Sequence, residues 1–189
     1  MIVLDTTILV YAVGGDHAYA APCREVVRLL ADGGVRATTT PEVIQELLHV
    51  RARRRGREDA ARVARAYASL LSPLLVVHGE DLEAGLVLFA SSALGAFDAV
   101  LATAAPRTGC GLFLSADRAF STVPELPLAN PPALVVCDGD DLDRPVLGLA
   151  TDQSERILAR KDTAAGVEAS GGKAAWSFND RFYRVAQLQ

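Results

Sequence analysis

The chain has 189 residues and a mass of 20.0 kDa; half of it is apolar, its mean hydropathy is +0.21 and its formal charge is −4. Those values exclude a disordered chain, a collagen and a disulfide-dense miniprotein, and the length is enough for one domain, alone or with an extension. No apolar run reaches the roughly 18 residues that cross a bilayer, and Met1-Ile2-Val3-Leu4-Asp5 carries no basic leader, so a soluble cytoplasmic protein is expected. Cys23, Cys110 and Cys137 are odd in number and lack a CxxC pair, which fits small buried hydrophobes in a reducing compartment rather than zinc ligands.

In chain order, Ile2-Val3-Leu4 is a short β-branched run that predicts a fully buried strand ending at Asp5, and Ile8, Leu9 and Val13 follow at helical spacing. A second helix is predicted from Ala20 to Ala31, stopped by Gly33-Gly34, and a strand from Arg36 to Thr39. Thr40-Pro41 reads as a cap with proline in the first turn, opening a helix from Glu42 to Arg54 whose buried stripe is Val43, Ile44, Leu47, Leu48 and Val50. The next helix reaches Leu71, where Ser72-Pro73 breaks it, and Leu74 to Val77 is predicted as a strand. Helices over Asp81–Ser91 and Ala96–Thr108, then strands over Gly111–Leu114 and Ala133–Val136, complete the alternation. Buried strands alternating with helices predict a three-layer α/β fold with a mainly parallel sheet, whose ligands bind beyond the carboxyl ends of the strands.

The character changes near Asp138. Residues 1–137 form the expected domain and residues 138–189 an extension that opens with Asp138-Gly139-Asp140-Asp141. Asp152 and Glu155 could form a capping box ahead of Ile157, and Trp176 to Arg184 is an aromatic–arginine segment with a turn signal at Asn179-Asp180.

Four acids stand out. Asp5 and Asp117 each follow a predicted strand, so both would reach one crevice if those strands are neighbours. Glu46 sits at the border of an apolar helix stripe, and Asp98 lies within Gly95-Ala96-Phe97-Asp98-Ala99-Val100-Leu101, the least polar surroundings of any acid here. Taken singly, each has a bland reading as a cap, a turn residue or an arginine partner. Taken together, close carboxylates resist ionising unless a cation compensates, and an all-oxygen set selects Mg²⁺ or Mn²⁺.

With Ile2-Val3-Leu4-Asp5-Thr6-Thr7-Ile8-Leu9, Val43-Ile44-Gln45-Glu46-Leu47, Asp98-Ala99-Val100-Leu101-Ala102 and Ser115-Ala116-Asp117-Arg118-Ala119-Phe120 in that order, residues 1–137 resemble the PIN-domain nucleases, most closely the VapC toxins of bacterial toxin–antitoxin pairs. The resemblance implies a divalent-metal endoribonuclease that leaves a 5′-phosphate and a 3′-hydroxyl. It implies Asp5, Glu46, Asp98 and Asp117 as the acidic quartet around the metal, with Thr6 and Ser115 as hydroxyls supporting the metal shell or its water. A VapB-like antitoxin, a homodimer and an RNA substrate are the partners it implies, with no membrane. It supplies nothing for the extension, for which one expectation is a cover over the site or over a partner surface.

Arginine dominates the basic residues, 17 against two lysines, Lys161 and Lys173. Arg51, Arg53, Arg54, Arg55 and Arg57 crowd together, with Arg62 and Arg65 beyond them, and could bring RNA phosphates to an acidic centre. A solvated helix face, a dimer contact and an antitoxin contact are the other uses open to this cluster. His17, His49 and His78 share no spacing that suggests a site. A dehalogenase-type phosphatase would need an acid where Thr7 stands and a lysine in the main domain; a response-regulator receiver fails on the same lysine, and no phosphate-binding glycine loop is present. The remaining alternative is a non-catalytic PIN module that binds RNA or protein.

Overall fold

The computed structural model describes residues 1–131 throughout and, beyond them, the backbone of strands Leu134–Asp138 and Pro145–Leu149. Strand β1 (Ile2–Leu4) is wholly buried and leads through Asp5 into helix α1 (Thr6–Ala12). Helix α2 (Ala20–Ala31) follows, then the two-residue strand β2 (Ala37–Thr38). Thr40 caps α3 (Pro41–Arg55), its hydroxyl accepting from the Val43 N–H, and Pro41 fills the first turn, where a missing N–H costs nothing. Gly56, at φ 88°, turns the chain directly into α4 (Arg57–Leu70). Helices α5 (Gly79–Ser91) and α6 (Ala96–Ala104) precede β3 (Leu112–Leu114) and β4 (Leu128–Ala129).

The four strands form one parallel sheet in the order β2-β1-β3-β4, with Leu4 opposite Leu114 and Ile2 opposite Ala37. The core on its faces is built from Leu4, Ile8, Leu9, Leu29, Leu47, Tyr67 and Phe113, with the Phe120 ring 4.7 Å from that of Phe113. Because the chain runs to β2 on one side of β1 and β3 lies on the other, the direction of winding reverses between β1 and β3, and the crevice lies beyond their carboxyl ends.

The structure departs from the expected elements at four places. Residues 74–77 form no strand: only the Leu75 N–H reaches a neighbouring strand end, at the Thr39 carbonyl (2.9 Å), while side chains of Thr38 and Arg107 take the carbonyls of Pro73 and Val76. The helix expected to continue to Thr108 tightens into a 3-10 turn over Ala105–Thr108, because Pro106 has no N–H for the α-helical bond. Leu128–Ala129 supplies the fourth parallel strand, whereas the chain expected as a strand at 133–136 forms β5 (Leu134–Asp138), paired antiparallel with β6 (Pro145–Leu149) in a separate two-stranded sheet. Of the stripe expected on α3, only Val43 and Leu47 are buried; Ile44 and Val50 are half-buried and Leu48 is exposed.

Cys23 is fully buried, which pushes its thiol up to about 12, and Cys110 is half-buried with its Sγ donating to the Leu112 carbonyl. The features read at Asp152, Glu155 and Trp176–Arg184 lie outside the described residues. Among the described residues no helix is long and apolar enough to cross a membrane.

Candidate active site

Parallel pairing of β1 with β3 brings Asp5 and Ser115 side by side, the Asp5 N–H donating to the Leu114 carbonyl at 3.0 Å. Asp5 is 2% exposed and caps α1, its Oδ1 accepting from the Thr6 N–H at 2.6 Å. Its Oδ2 accepts from the hydroxyls of Thr7 (2.6 Å) and Ser115 (2.7 Å) and, at 3.3 Å, from the Thr7 N–H. Each hydroxyl has one proton, and both protons go to Asp5; the hydroxyl oxygens then accept from the backbone, Thr7 from Ala116 N–H and Ser115 from Asp117 N–H, each at 2.9 Å. Two strand ends are thus tied through one carboxylate. Burial pushes Asp5 above the usual carboxylate range, opposed by these hydrogen bonds.

Two of the other three acids also sit at helix starts. Asp98 lies in the first turn of α6 and accepts from the backbone of Gly95, and Asp117 Oδ1 accepts from the Ala119 N–H (2.8 Å) at the head of the 3-10 turn Arg118–Thr122. The positive ends of helix dipoles therefore face the acids. Glu46 projects from α3, is exposed, and accepts from the Thr6 hydroxyl at 2.7 Å rather than from an arginine. All four line one cleft of about 540 Å³. Asp98 is pushed up to about 6 by its burial first, then by the charges of Asp5, Glu46 and Asp117, so it feels the other three carboxylates.

Among the described residues no three carboxylate, imidazole or thiolate groups converge on a single ion position. The donor set still suits a hard divalent ion: Mg²⁺ is commonly bound through one or two carboxylates with water in the remaining positions. Asp5 Oδ2 already takes three donors, while Oδ1 takes one and keeps a lone pair.

Of the residues singled out in the sequence, Asp5, Thr6, Glu46, Asp98, Asp117 and Arg54 line the cleft, and Ser115 lies directly behind Asp5. Arg53, Arg55 and Arg57 are exposed and do not line it, and Arg51 is tied to Asp59 and to the Val13 carbonyl. Sequence reasoning missed Thr7, the second hydroxyl on Asp5. It also passed over His17, which lines the cleft beside Tyr11, and the bare backbone of Gly14 and Gly15. Thr7 carried a signal, since two consecutive hydroxyl residues follow the strand-terminal acid. His17 carried none, because its place depends on a tertiary fold-back of the chain after α1.

Residues 2–126 match the PIN domain family. Over 131 residues the chain is 47% identical to Ribonuclease VapC7 of Mycobacterium tuberculosis, an alignment that covers 67% of this chain and 88% of that one. In fold it is similar to VapC20 of Mycobacterium tuberculosis, a sarcin-ricin loop cleaving toxin (TM-score 0.55, 18% identity, covering 65% of this chain and 94% of that one). It is similar as well to VapBC2 of Rickettsia felis, solved bound to a DNA fragment from its promoter (TM-score 0.55, 20% identity, covering 69% and 98%). The two solved structures bear on the fold; the matches in sequence bear on kinship. The chain belongs to the PIN-domain family, among the VapC ribonucleases.

Proposed function

We propose that the chain is an endoribonuclease toxin that hydrolyses RNA phosphodiesters at the carboxylate cleft with Mg²⁺ or Mn²⁺, and that a VapB-like antitoxin holds it in check. The observation that carries this reading is the clustering of Asp5, Glu46, Asp98 and Asp117 around one cleft, with Asp98 pushed up to about 6 by burial and by the other three. So much negative charge beyond the ends of β1 and β3 is relieved by a cation. Asp5 and Asp98 are the residues assigned to hold it, with Glu46 and Asp117 binding it or orienting water. When bound, the ion supplies Lewis-acid polarisation of the phosphodiester and a water of lowered pKa. The chain's own part is orientation: Thr7 and Ser115 lock Asp5, and Thr6 steers Glu46.

The homodimer has a candidate surface on α5, which exposes Leu82, Leu86, Val87 and Phe89, with Phe97 at 72% exposure nearby. A helix apolar on most of its circumference is ordinarily covered. Sedimentation of the chain and of Leu86→Glu checks this: the variant is expected to run as a monomer where the parent runs as a dimer.

The decisive experiment incubates the full chain with total RNA and Mn²⁺ or Mg²⁺, beside Asp98→Asn and an EDTA control, and maps the fragment ends. Discrete metal-dependent cuts absent from Asp98→Asn are expected. Absence of cleavage together with absence of Mn²⁺ binding by calorimetry would favour the non-catalytic module.

A further inference from the structure

The cleft extends past the carboxylates to a rim of different chemistry. Tyr11, at the end of α1, stacks on His17 with ring centroids 4.4 Å apart and planes 22° from parallel, and Tyr19 meets both rings edge-on. Tyr11 and His17 both line the cleft, and His17 is exposed. The His17 Nδ1 accepts from the Tyr19 N–H at 3.1 Å, which fixes the ring and, in the neutral form, puts the proton on Nε2. The loop carrying His17 is held in turn: Arg24 donates to the carbonyls of Ala12 (3.2 Å) and Gly14 (3.0 Å), and Arg51 to that of Val13 (2.8 Å). These are carbonyls at and just past the end of α1, where the chain offers no intrahelical partner. The exposed stack is therefore built on a fixed base.

On the facing helix α3, Glu46, Val50 and Arg54 follow at four-residue spacing and all line the cleft. Eight residues of helix separate Glu46 from Arg54 by about 12 Å along the axis, too far for one phosphate to touch both. Arg24, Arg28, Arg51, Arg62 and Arg107 are each bound to carboxylates or carbonyls, whereas Arg54 makes no ion pair with any described residue.

We propose that the stacked Tyr11–His17 pair and Arg54 form a nucleotide subsite beside the reaction centre, where an unpaired RNA base stacks on His17 and a neighbouring phosphate meets Arg54. Every base has a π face, so aromatic stacking combined with an arginine holds single-stranded RNA without demanding a sequence. The inference rests on the ribonuclease reading and adds where the strand lies: it crosses from the acids toward the end of α1.

The test uses the full chain carrying Asp98→Asn, so that RNA is bound without being cut, and a short uridine oligonucleotide with one 2-aminopurine. Stacking on His17 is expected to quench the 2-aminopurine. His17→Ala is expected to abolish the quench and weaken binding about tenfold by anisotropy. Arg54→Ala is expected to lower the slope of log affinity against log salt by about one. His17→Tyr separates stacking from loop anchoring, since it keeps a ring while losing the bond to Tyr19, and it is expected to restore the quench. With Asp98 present, the His17 and Arg54 variants are expected to raise KM for RNA with kcat little changed. Unchanged quench, affinity and salt slope in folded variants would overturn the subsite while cleavage by the parent chain leaves the ribonuclease reading standing. An oligonucleotide that the Asp98→Asn chain does not bind would also overturn it, and the total-RNA digest then decides the ribonuclease reading separately.

Discussion

The floor of the cleft and its rim are built by opposite means. On the floor, the Asp5 carboxylate accepts four hydrogen bonds, Ser115 is fully buried, and the network ties the ends of two strands together. On the rim, Tyr11, His17 and Arg54 are half-buried or exposed, and two arginines that themselves stay back from the reaction centre hold the loop. The floor holds Asp5 in place with hydrogen bonds from two strand ends, and metal-assisted chemistry needs charge so positioned. The rim offers surface to a flexible strand. A fault in the floor should therefore appear in kcat, and a fault in the rim in KM.

The largest expected effect breaks the floor. Asp98→Asn and Glu46→Gln are each expected to lower kcat for RNA cleavage by about 10³-fold, with KM changed by no more than about threefold, in steady-state assays at saturating Mn²⁺. A comparable rise in KM would mean that these acids act through binding, and the contrast between floor and rim would collapse.

Within the floor, the two threonines separate buried from exposed support. Thr7→Val removes a donor to the buried Asp5 carboxylate and the acceptor for the Ala116 N–H, and is expected to cost about 2 kcal/mol in urea unfolding. Thr6→Val frees only Glu46, which is exposed and finds water, so a loss of about 0.5 kcal/mol is expected. Equal losses would show that burial does not set the difference.

The acids of the floor were legible in the sequence, with Thr7 missed, whereas of the rim only Arg54 was, for a physical reason. A strand that ends on an acid, a hydroxyl pair after it and a second acid beyond another strand are local patterns, and parallel pairing of β1 with β3 brings them together. The element bounds that rest on local chemistry came out likewise: α2 spans Ala20–Ala31 as its periodicity predicts, and Thr40-Pro41 starts α3. Where hydrogen-bond partners come from distant chain, prediction fails. Residues 74–77 have the apolar, β-branched character of a strand, yet the partners shown for their backbone are the Thr39 carbonyl for the Leu75 N–H and the Arg107 side chain for the Val76 carbonyl. Leu128–Ala129 is too short to show a period, yet it pairs with β3. His17 sits at the cleft on a loop that Arg24 and Arg51 hold, and no spacing along the chain encodes that.

Asp98 also sharpens the comparison through pH. Its carboxyl titrates near 6 in the folded chain against 3.8 as an unperturbed group, so the folded state binds the extra proton between those values. Stability from this group is thus full below about pH 4, falls as pH rises to 6, and is flat above. After allowance for solvent screening the loss is about 1–2 kcal/mol, so metal-free Asp98→Asn should unfold at a higher temperature than the parent at pH 7 and lose that advantage by pH 4. Asp59 and Asp81, held low by arginines, run the other way: their contribution is lost in acid. The difference between parent and variant cancels them, and differential scanning calorimetry from pH 4 to 7 without metal reads it directly. A difference that does not change with pH would remove the charge crowding on the floor.

A small effect on stability with a large one on rate is expected at Gly95. Its φ of −63° is open to any residue, so backbone strain does not require glycine there. What a side chain would meet is the Asp98 carboxylate: a Cβ at this position falls 2.8 Å from its Oδ2. The carboxylate is the free end of a side chain and can swing away at little cost to the fold, so Gly95→Ala should change unfolding by less than about 1 kcal/mol. Swinging away, however, breaks the alignment of Asp98 with the rest of the floor, and a displacement near 1 Å at such a group costs on the order of 10²-fold in rate. Gly85 gives the contrast: a Cβ there meets Val100 Cα at 2.9 Å, backbone that cannot yield, so Gly85→Ala should lose about 1–3 kcal/mol by forcing α5 off α6. Two glycine-to-alanine changes, one within α5 and one at the head of α6, would then part company, one in activity at constant stability and the other in stability first. That separation follows only if glycine at 95 leaves room for a carboxylate whose position, rather than whose packing, is what the cleft requires.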